Sequence, residues 1–193
     1  LLGQNGAGKT TCMKIITGYL EPSAGTVSID GLDVLTQRIQ VQSLVGYLPE
    51  NAPLYPEMRV EEYLQFIAEL RGLKGRKGME AIDEALEATG LAARRKQEIS
   101  TLSKGYRQRV GLAQAIVHKP SILILDEPTN GLDPVQIQEI RALIKRFAKK
   151  TTILLSTHIL SEIEAVCDRV VILIDGELAS DSTLEDLLNR SSL

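Results

Sequence analysis

A chain of 193 residues, 44% hydrophobic and 24% charged, has length and apolar content for one buried core with an inserted subdomain, which excludes a peptide hormone, a disulfide-knotted miniprotein and a disordered chain. Its formal net charge of −3 rules out a blanket electrostatic footprint for nucleic acid, so no nucleic-acid partner is expected. The two cysteines, Cys12 and Cys167, have no CxxC spacing and read as free thiols of a reducing compartment, the cytoplasm.

In chain order, Leu1 and Leu2 run straight into a glycine-rich loop with no Met, signal peptide or basic presequence before them, so the chain reads as a fragment. Gly3-Gln4-Asn5-Gly6-Ala7-Gly8-Lys9-Thr10 fits GxxxxGK[ST]. In that pattern backbone N–H groups surround phosphates, the Lys reaches β and γ oxygens and the hydroxyl binds Mg²⁺. The glycines are needed because side chains would block the backbone's approach. A helical run over 11–18 follows and adds its dipole to the anion site, while Leu1 and Leu2 are all that remains of the strand that should precede the loop.

Segment 26–29 alternates polar and apolar residues and ends at Asp30-Gly31, and Asp175-Gly176 follows the run 170–174, so hairpin turns at sheet edges are expected at both places. Runs 44–48, 122–125, 152–155 and 170–174 are nearly continuously apolar, as suits a parallel sheet covered on both faces. None approaches the roughly 18 residues of a membrane span. Between Asn51 and Lys119 the character changes: Pro53 and Pro56 open a stretch of helical spacing (Val60, Tyr63, Leu64, Ile67, Ala68, then Ile82, Ala85, Leu86 before a Gly90 stop) with no convincing strand. It reads as a helical insert. Its link 72–78 reads as a basic loop, and Arg94, Arg95 and Lys96 as a solvated face. The stripe Ile137, Ile140, Ile144, Phe147 predicts a helix that Asp133 caps and Pro134 opens.

The run 122–125 delivers Asp126 and Glu127 at its C-terminal end, where open α/β sheets bind ligands. Asp126 suits a Mg²⁺ ligand, direct or through water, and Glu127 a base that orients and deprotonates an attacking water; the plain alternative is a soluble turn ending a strand. His158 follows the run 152–155 and Ser156-Thr157, so it falls on the same rim, placed to contact a γ-phosphate oxygen. His118, before Pro120, reads as a surface cap at a helix end. Leu102-Ser103-Lys104-Gly105-Tyr106 opens a helix, and Ser103 at its N-cap reads either as an ordinary cap or as a second anion site.

In this order the motifs resemble the ABC-family ATPases over essentially the whole chain. Gly3 to Thr10 resembles Walker A, with Thr11 beside it; Leu125-Asp126-Glu127-Pro128-Thr129 resembles Walker B with its catalytic Glu; Asn130-Gly131-Leu132-Asp133 the D-loop; and His158 the switch histidine. Leu102 to Tyr106 is similar to the LSGGQ signature, with Lys104 and Tyr106 as departures and Ser103 and Gly105 retained. Glu50, in Gly46-Tyr47-Leu48-Pro49-Glu50, stands where the family has its Q-loop Gln.

The resemblance implies an α/β fold, a RecA-like P-loop NTPase parallel-sheet core at 1–50 and 119–193, a helical signature subdomain at 51–118 and a small antiparallel β edge. It implies ATP held by Gly3, Asn5, Gly6, Ala7, Gly8, Lys9, Thr10 and Thr11, with Asp133 also nucleotide-binding and Ser103 and Gly105 serving a partner's nucleotide. Mg²⁺ would be held by Thr10, Asp126 and Glu50, and Glu127 and His158 would be catalytic. Two copies would close head to tail around two Mg-ATP at the inner face of the cell membrane and drive a separate permease. The loop around Glu50 and the Lys-Gly-Tyr-Arg-Gln-Arg variant look similar to ABC-2 type exporter subunits, including the gliding-motility type. Two other readings stand beside this one. A repair or ribosome-associated ATPase is the first, although no sustained heptads separate Walker A from the signature; a nucleotide sensor without hydrolysis is the second, against which Glu127 argues.

Overall fold

The computed structural model describes residues 1–191. The elements run α1 (Lys9–Ile16), β1 (Ser28–Ile29), β2 (Leu32–Asp33), α2 (Arg38–Leu44), β3 (Val45–Leu48), α3 (Val60–Leu70), α4 (Gly75–Thr89), α5 (Lys104–Ile116), β4 (Ile122–Asp126), α6 (Pro134–Ala148), β5 (Thr152–Ser156), α7 (Leu160–Val166), β6 (Arg169–Ile174), β7 (Glu177–Thr183) and α8 (Leu184–Ser191). Strands β3, β4 and β5 form a parallel sheet with β4 in the middle. Because successive side chains leave a strand on opposite faces, Leu123 and Leu125 of β4 pack with Leu112, Ala115, Ile140 and Ile144, whereas Ile124 packs with Met13, Val34 and Val41. Helices therefore cover both faces, and an almost continuously apolar strand results.

Leu2 extends the order. It bridges in parallel to Thr157 on one side and to Ile172 on the other, with Leu2 N donating to Val171 O at 2.8 Å and Leu173 N to Leu2 O at 2.9 Å. The run 170–174 thus departs from the expected doubly covered parallel strand. Its long partner is β7, antiparallel across the Asp175-Gly176 turn, and Ile174 is exposed. Along the run Val170 and Leu173 are buried, Val171 and Ile172 half-buried and Ile174 exposed, so the apolar continuity does not report full cover on both faces. The other expected hairpin, β1 with β2, forms across Asp30-Gly31, and all four turn residues have the positive φ that such tight turns need.

The insert has its own apolar core: Val60, Tyr63, Leu64, Leu86, Leu91, Ile99 and Val110 are all under 2% exposed. The link 72–78 is shorter than its glycines and lysines suggest, since α4 already begins at Gly75; packing of Ala81, Ile82 and Ala85 against α3 and α5 outweighs the poor helix propensity of Gly75 and Gly78. Arg95 is not simply solvated: it reaches Glu61 at 2.8 Å and Asp83 at 3.1 Å. His118 departs further from a surface cap. Its Nε2 lies 3.1 Å from Val45 O of β3, and burial, with Arg71 nearby, pushes its pKa down to about 4. The insert rejoins the sheet by backbone proximity, for Gly46 of β3 faces the carbonyl of Ala115 in α5 so closely that no Cβ would fit.

Candidate functional site

The loop after Leu2 turns through left-handed Gly6 (φ 86°) and Gly8 (φ 98°), conformations that a side chain would strain. Gly8 is the N-cap of α1 and supplies no side-chain cap, and the helix's first turn carries no acid. First-turn N–H groups have no partner within any α-helix, so these amides and the helix dipole face the cleft. Gly3 is fixed by close packing: a Cβ there would stand 2.6 Å from Leu173 O. Lys9 folds back, 6% exposed, donating to Gly3 O at 2.8 Å and Gln4 O at 3.1 Å.

Opposite stands the end of β4. Asp126 is fully buried; its Oδ1 accepts from Ser156 Oγ at 2.5 Å, while its Oδ2 is buried without a hydrogen-bond partner. Glu127 leaves the strand in the left-handed region, φ 47°, which is costly for a side-chain-bearing residue and recurs at functional sites. Its N–H is held by Ser156 O at 3.2 Å and Ser156 Oγ at 3.0 Å. That turn aims the carboxylate at both Lys9, 3.4 Å from Oε1, and His158, whose Nδ1 is 3.0 Å from Oε2.

The resulting cleft, about 510 Å³, is lined by Asn5, Gly6, Gly8, Lys9, Thr10, Thr11, Glu50, Glu127, Asn130 and His158. It brings most of the expected residues together. Ala7 stays buried beneath the loop, and Glu50 hangs from the end of β3, accepting from Asn130 Nδ2 at 2.8 Å. Asn130 was not singled out as a site residue from sequence; its place in a turn right after two strand-end carboxylates is the signal that could have found it.

Ser103, Gly105 and Asp133 lie outside this lining. Ser103 is exposed at the N-cap of α5, accepting from Tyr106 N at 3.5 Å; Asp133 caps α6, accepting from Gln136 N at 2.9 Å; Gly105 leaves no room for a Cβ beside Gln136. The signature helix is tied to the D-loop of its own chain by Gln108 Nε2 donating to Pro128 O at 2.8 Å. Both signature departures have structural places. Lys104 lies across Gly131 of the D-loop, and Tyr106 has Arg94 at 4.0 Å and Arg109 at 5.6 Å over its ring, a cation–π arrangement.

The donor set suits Mg²⁺. The cation takes oxygen ligands and keeps waters and phosphate oxygens rather than filling an all-protein cage; Asp126 Oδ2 is an orphaned buried oxygen, and no cluster of three or more His, Cys, Asp or Glu among the described residues forms such a cage.

The ABC transporter family model matches residues 1–130. The chain belongs to this family. Among its relatives, the ABC transporter ATP-binding protein YxlF of Bacillus subtilis (strain 168) is 43% identical over 187 residues, covering 97% of this chain, and the bacitracin transport ATP-binding protein BcrA of Enterococcus faecalis is 40% identical over 193 residues, covering 99%. The chain spans 62% of the length of each. A solved ATP binding subunit of an ABC transporter superposes with a TM-score of 0.85 at 35% identity, over 100% of this chain and 80% of that one. The expected ABC fold, a parallel-sheet P-loop core with helices and a small antiparallel sheet, is therefore established. No helix among the described residues is long and apolar enough to cross a membrane.

Proposed function

We propose that this chain binds and hydrolyses ATP, closes head to tail with a second copy around two Mg-ATP, and drives transport through a separate membrane permease of the ABC-2 export type. The observation that carries the reading is the convergence of Lys9 and His158 on Glu127, one residue after the buried Asp126, at the C-terminal rim of a parallel sheet. The protein would lie in the cytoplasm against the inner membrane face, with 51–118 the subdomain that meets the permease. Similarity to a bacitracin transport protein supports a transport role over repair or ribosomal work.

On this reading each group has a task. Lys9, tied to two loop carbonyls and Glu127, has to exchange that carboxylate for β- and γ-phosphate oxygens when ATP enters. The N–H groups of Gly6, Gly8 and the first turn of α1 hold the phosphates. Glu127, released from Lys9 and still oriented by His158, takes the proton of the attacking water. Thr10, Asp126 and Glu50 would hold Mg²⁺, which neutralises charge developing on the phosphates. Ser103, exposed at the N-cap of α5 and outside the lining of its own cleft, would with Gly105 complete a partner's.

The shared-site part of the reading is tested by mixing full-length Ser103→Arg and Lys9→Ala subunits. A mixed dimer gathers both defects in one site and leaves the other built of intact halves, so ATPase activity partly returns. No recovery at any ratio, with mixed dimers confirmed by mass, would overturn the head-to-tail arrangement.

A further inference from the structure

Glu162, in the first turn of α7, belongs to no motif identified in the sequence. It is nevertheless 2% exposed, and burying a carboxylate is costly unless its oxygens are well served. They are served by two threonines. Oε1 accepts from the Thr129 hydroxyl, and Oε2 accepts from Thr157 Oγ1 at 2.6 Å. The Thr157 hydroxyl also accepts from Ile159 N at 3.1 Å, so its one proton is committed to Glu162. A guanidinium nitrogen of Arg141 on α6 stands 3.9 Å from Oε1.

The positions of the two threonines give this carboxylate its meaning. Thr129 lies two residues after Glu127, on the turn that leaves β4, and Thr157 immediately precedes His158, on the turn that leaves β5. One buried group therefore clamps the two loops whose side chains meet at the Glu127–His158 contact of 3.0 Å. Ser156 pins the same loops one step earlier, through Asp126 and the Glu127 N–H. No other hydrogen bond among the described residues links the His158 side of that contact to the turn after Glu127.

We infer that Glu162 is a positioning residue: its carboxylate holds the loops of Glu127 and His158 in register, so that the base is aimed at the water position. The inference rests on the hydrolytic reading of this cleft. Misplacement of a catalytic group by about 1 Å costs on the order of 10²-fold in rate, and the nucleotide-binding loop 3–8 takes no part in the clamp.

The test is made on the full-length protein. Glu162→Gln keeps the shape but replaces one acceptor oxygen by an NH₂, so both threonines can no longer donate to it. The expected result is a kcat lower by about 10- to 100-fold, with the Kd for ATP within about threefold of wild type. Thr157→Val should lose kcat in the same way and Thr157→Ser, which restores the hydroxyl, should recover most of it. The His158 ring resonance should shift in Thr157→Val, with His118 as internal reference. Should Glu162→Gln fail to fold, the threonine variants carry the test alone. A kcat per folded molecule equal to wild type in Thr157→Val, with only the melting temperature lowered, would reduce Glu162 to a structural role and overturn the proposal. Failure of the hydrolytic reading looks different: wild type would then show no ATP turnover that Lys9→Ala removes.

Discussion

The helical insert and the rim of the cleft are built on opposite principles. In the insert, Val60, Leu64, Leu86 and Leu91 are sealed from water, α4 ends in a left-handed Gly90, and charges such as Arg95 find partners at the surface. Packing there outweighs even the poor helix propensity of Gly75 and Gly78. At the rim, Lys9 and Glu127 are buried charges, Asp126 keeps an unpartnered oxygen, and Glu127 has a backbone conformation more natural to glycine. Functional sites keep such costs because the same features preorganise them for a ligand. The difference says where substitutions should cost stability and where they should cost chemistry.

The sharpest break between the two regions is Glu127→Gln. The amide keeps the shape and loses the base, so ATP turnover by the full-length protein should fall about 10²- to 10⁴-fold while ATP still binds; turnover within threefold of wild type would move the base elsewhere, with His158 next in line. In the insert, Leu64→Ala should instead cost about 2–5 kcal/mol in denaturant unfolding, with kcat per folded molecule unchanged. Lys9→Ala should weaken ATP binding by more than about tenfold, since the loop amides are left to balance the phosphates alone; calorimetry showing near-normal affinity would refute the loop assignment.

The smallest effect lies at the seam. His118 is neutral in the fold, with its pKa lowered to about 4, against about 6.5 when unfolded. The unfolded chain therefore binds more protons in that interval, and the contribution of His118 is complete above pH 6.5 and fades as pH falls toward 4. Wild type should lose stability more steeply across that window than His118→Gln, measured by denaturation at successive pH values. Parallel curves would exclude His118 as the cause.

How much of this was legible in the sequence depends on how local the chemistry is. Gly3 to Thr10, Asp126-Glu127 and His158 each occupy a loop or strand end with a recognisable pattern, and the fold brings them to one rim because parallel strands end on the same side. Glu162 was illegible for the converse reason. Its surroundings come from the turn after β4, the turn after β5 and α6, and no motif in the stretch Leu160-Ser161-Glu162-Ile163-Glu164 points to them. His118 meets a strand 73 positions away. The run 170–174 misleads because apolar continuity reports hydrophobicity, whereas pairing direction is decided by β7 and Leu2.

The closeness of Gly46 to the Ala115 carbonyl has a mechanical consequence. With no side chain as a cushion, this point of near contact is a fulcrum, and α5 is the arm that rests on it. From Ala115 to Ser103 that arm is about 18 Å long at 1.5 Å per residue. A tilt of about 5° there would sweep its tip by about 1.5 Å, roughly half a hydrogen bond's length. The leverage is seated on the strand that leads to Glu50, so a small rocking of the sheet's edge is magnified where one subunit would meet the next.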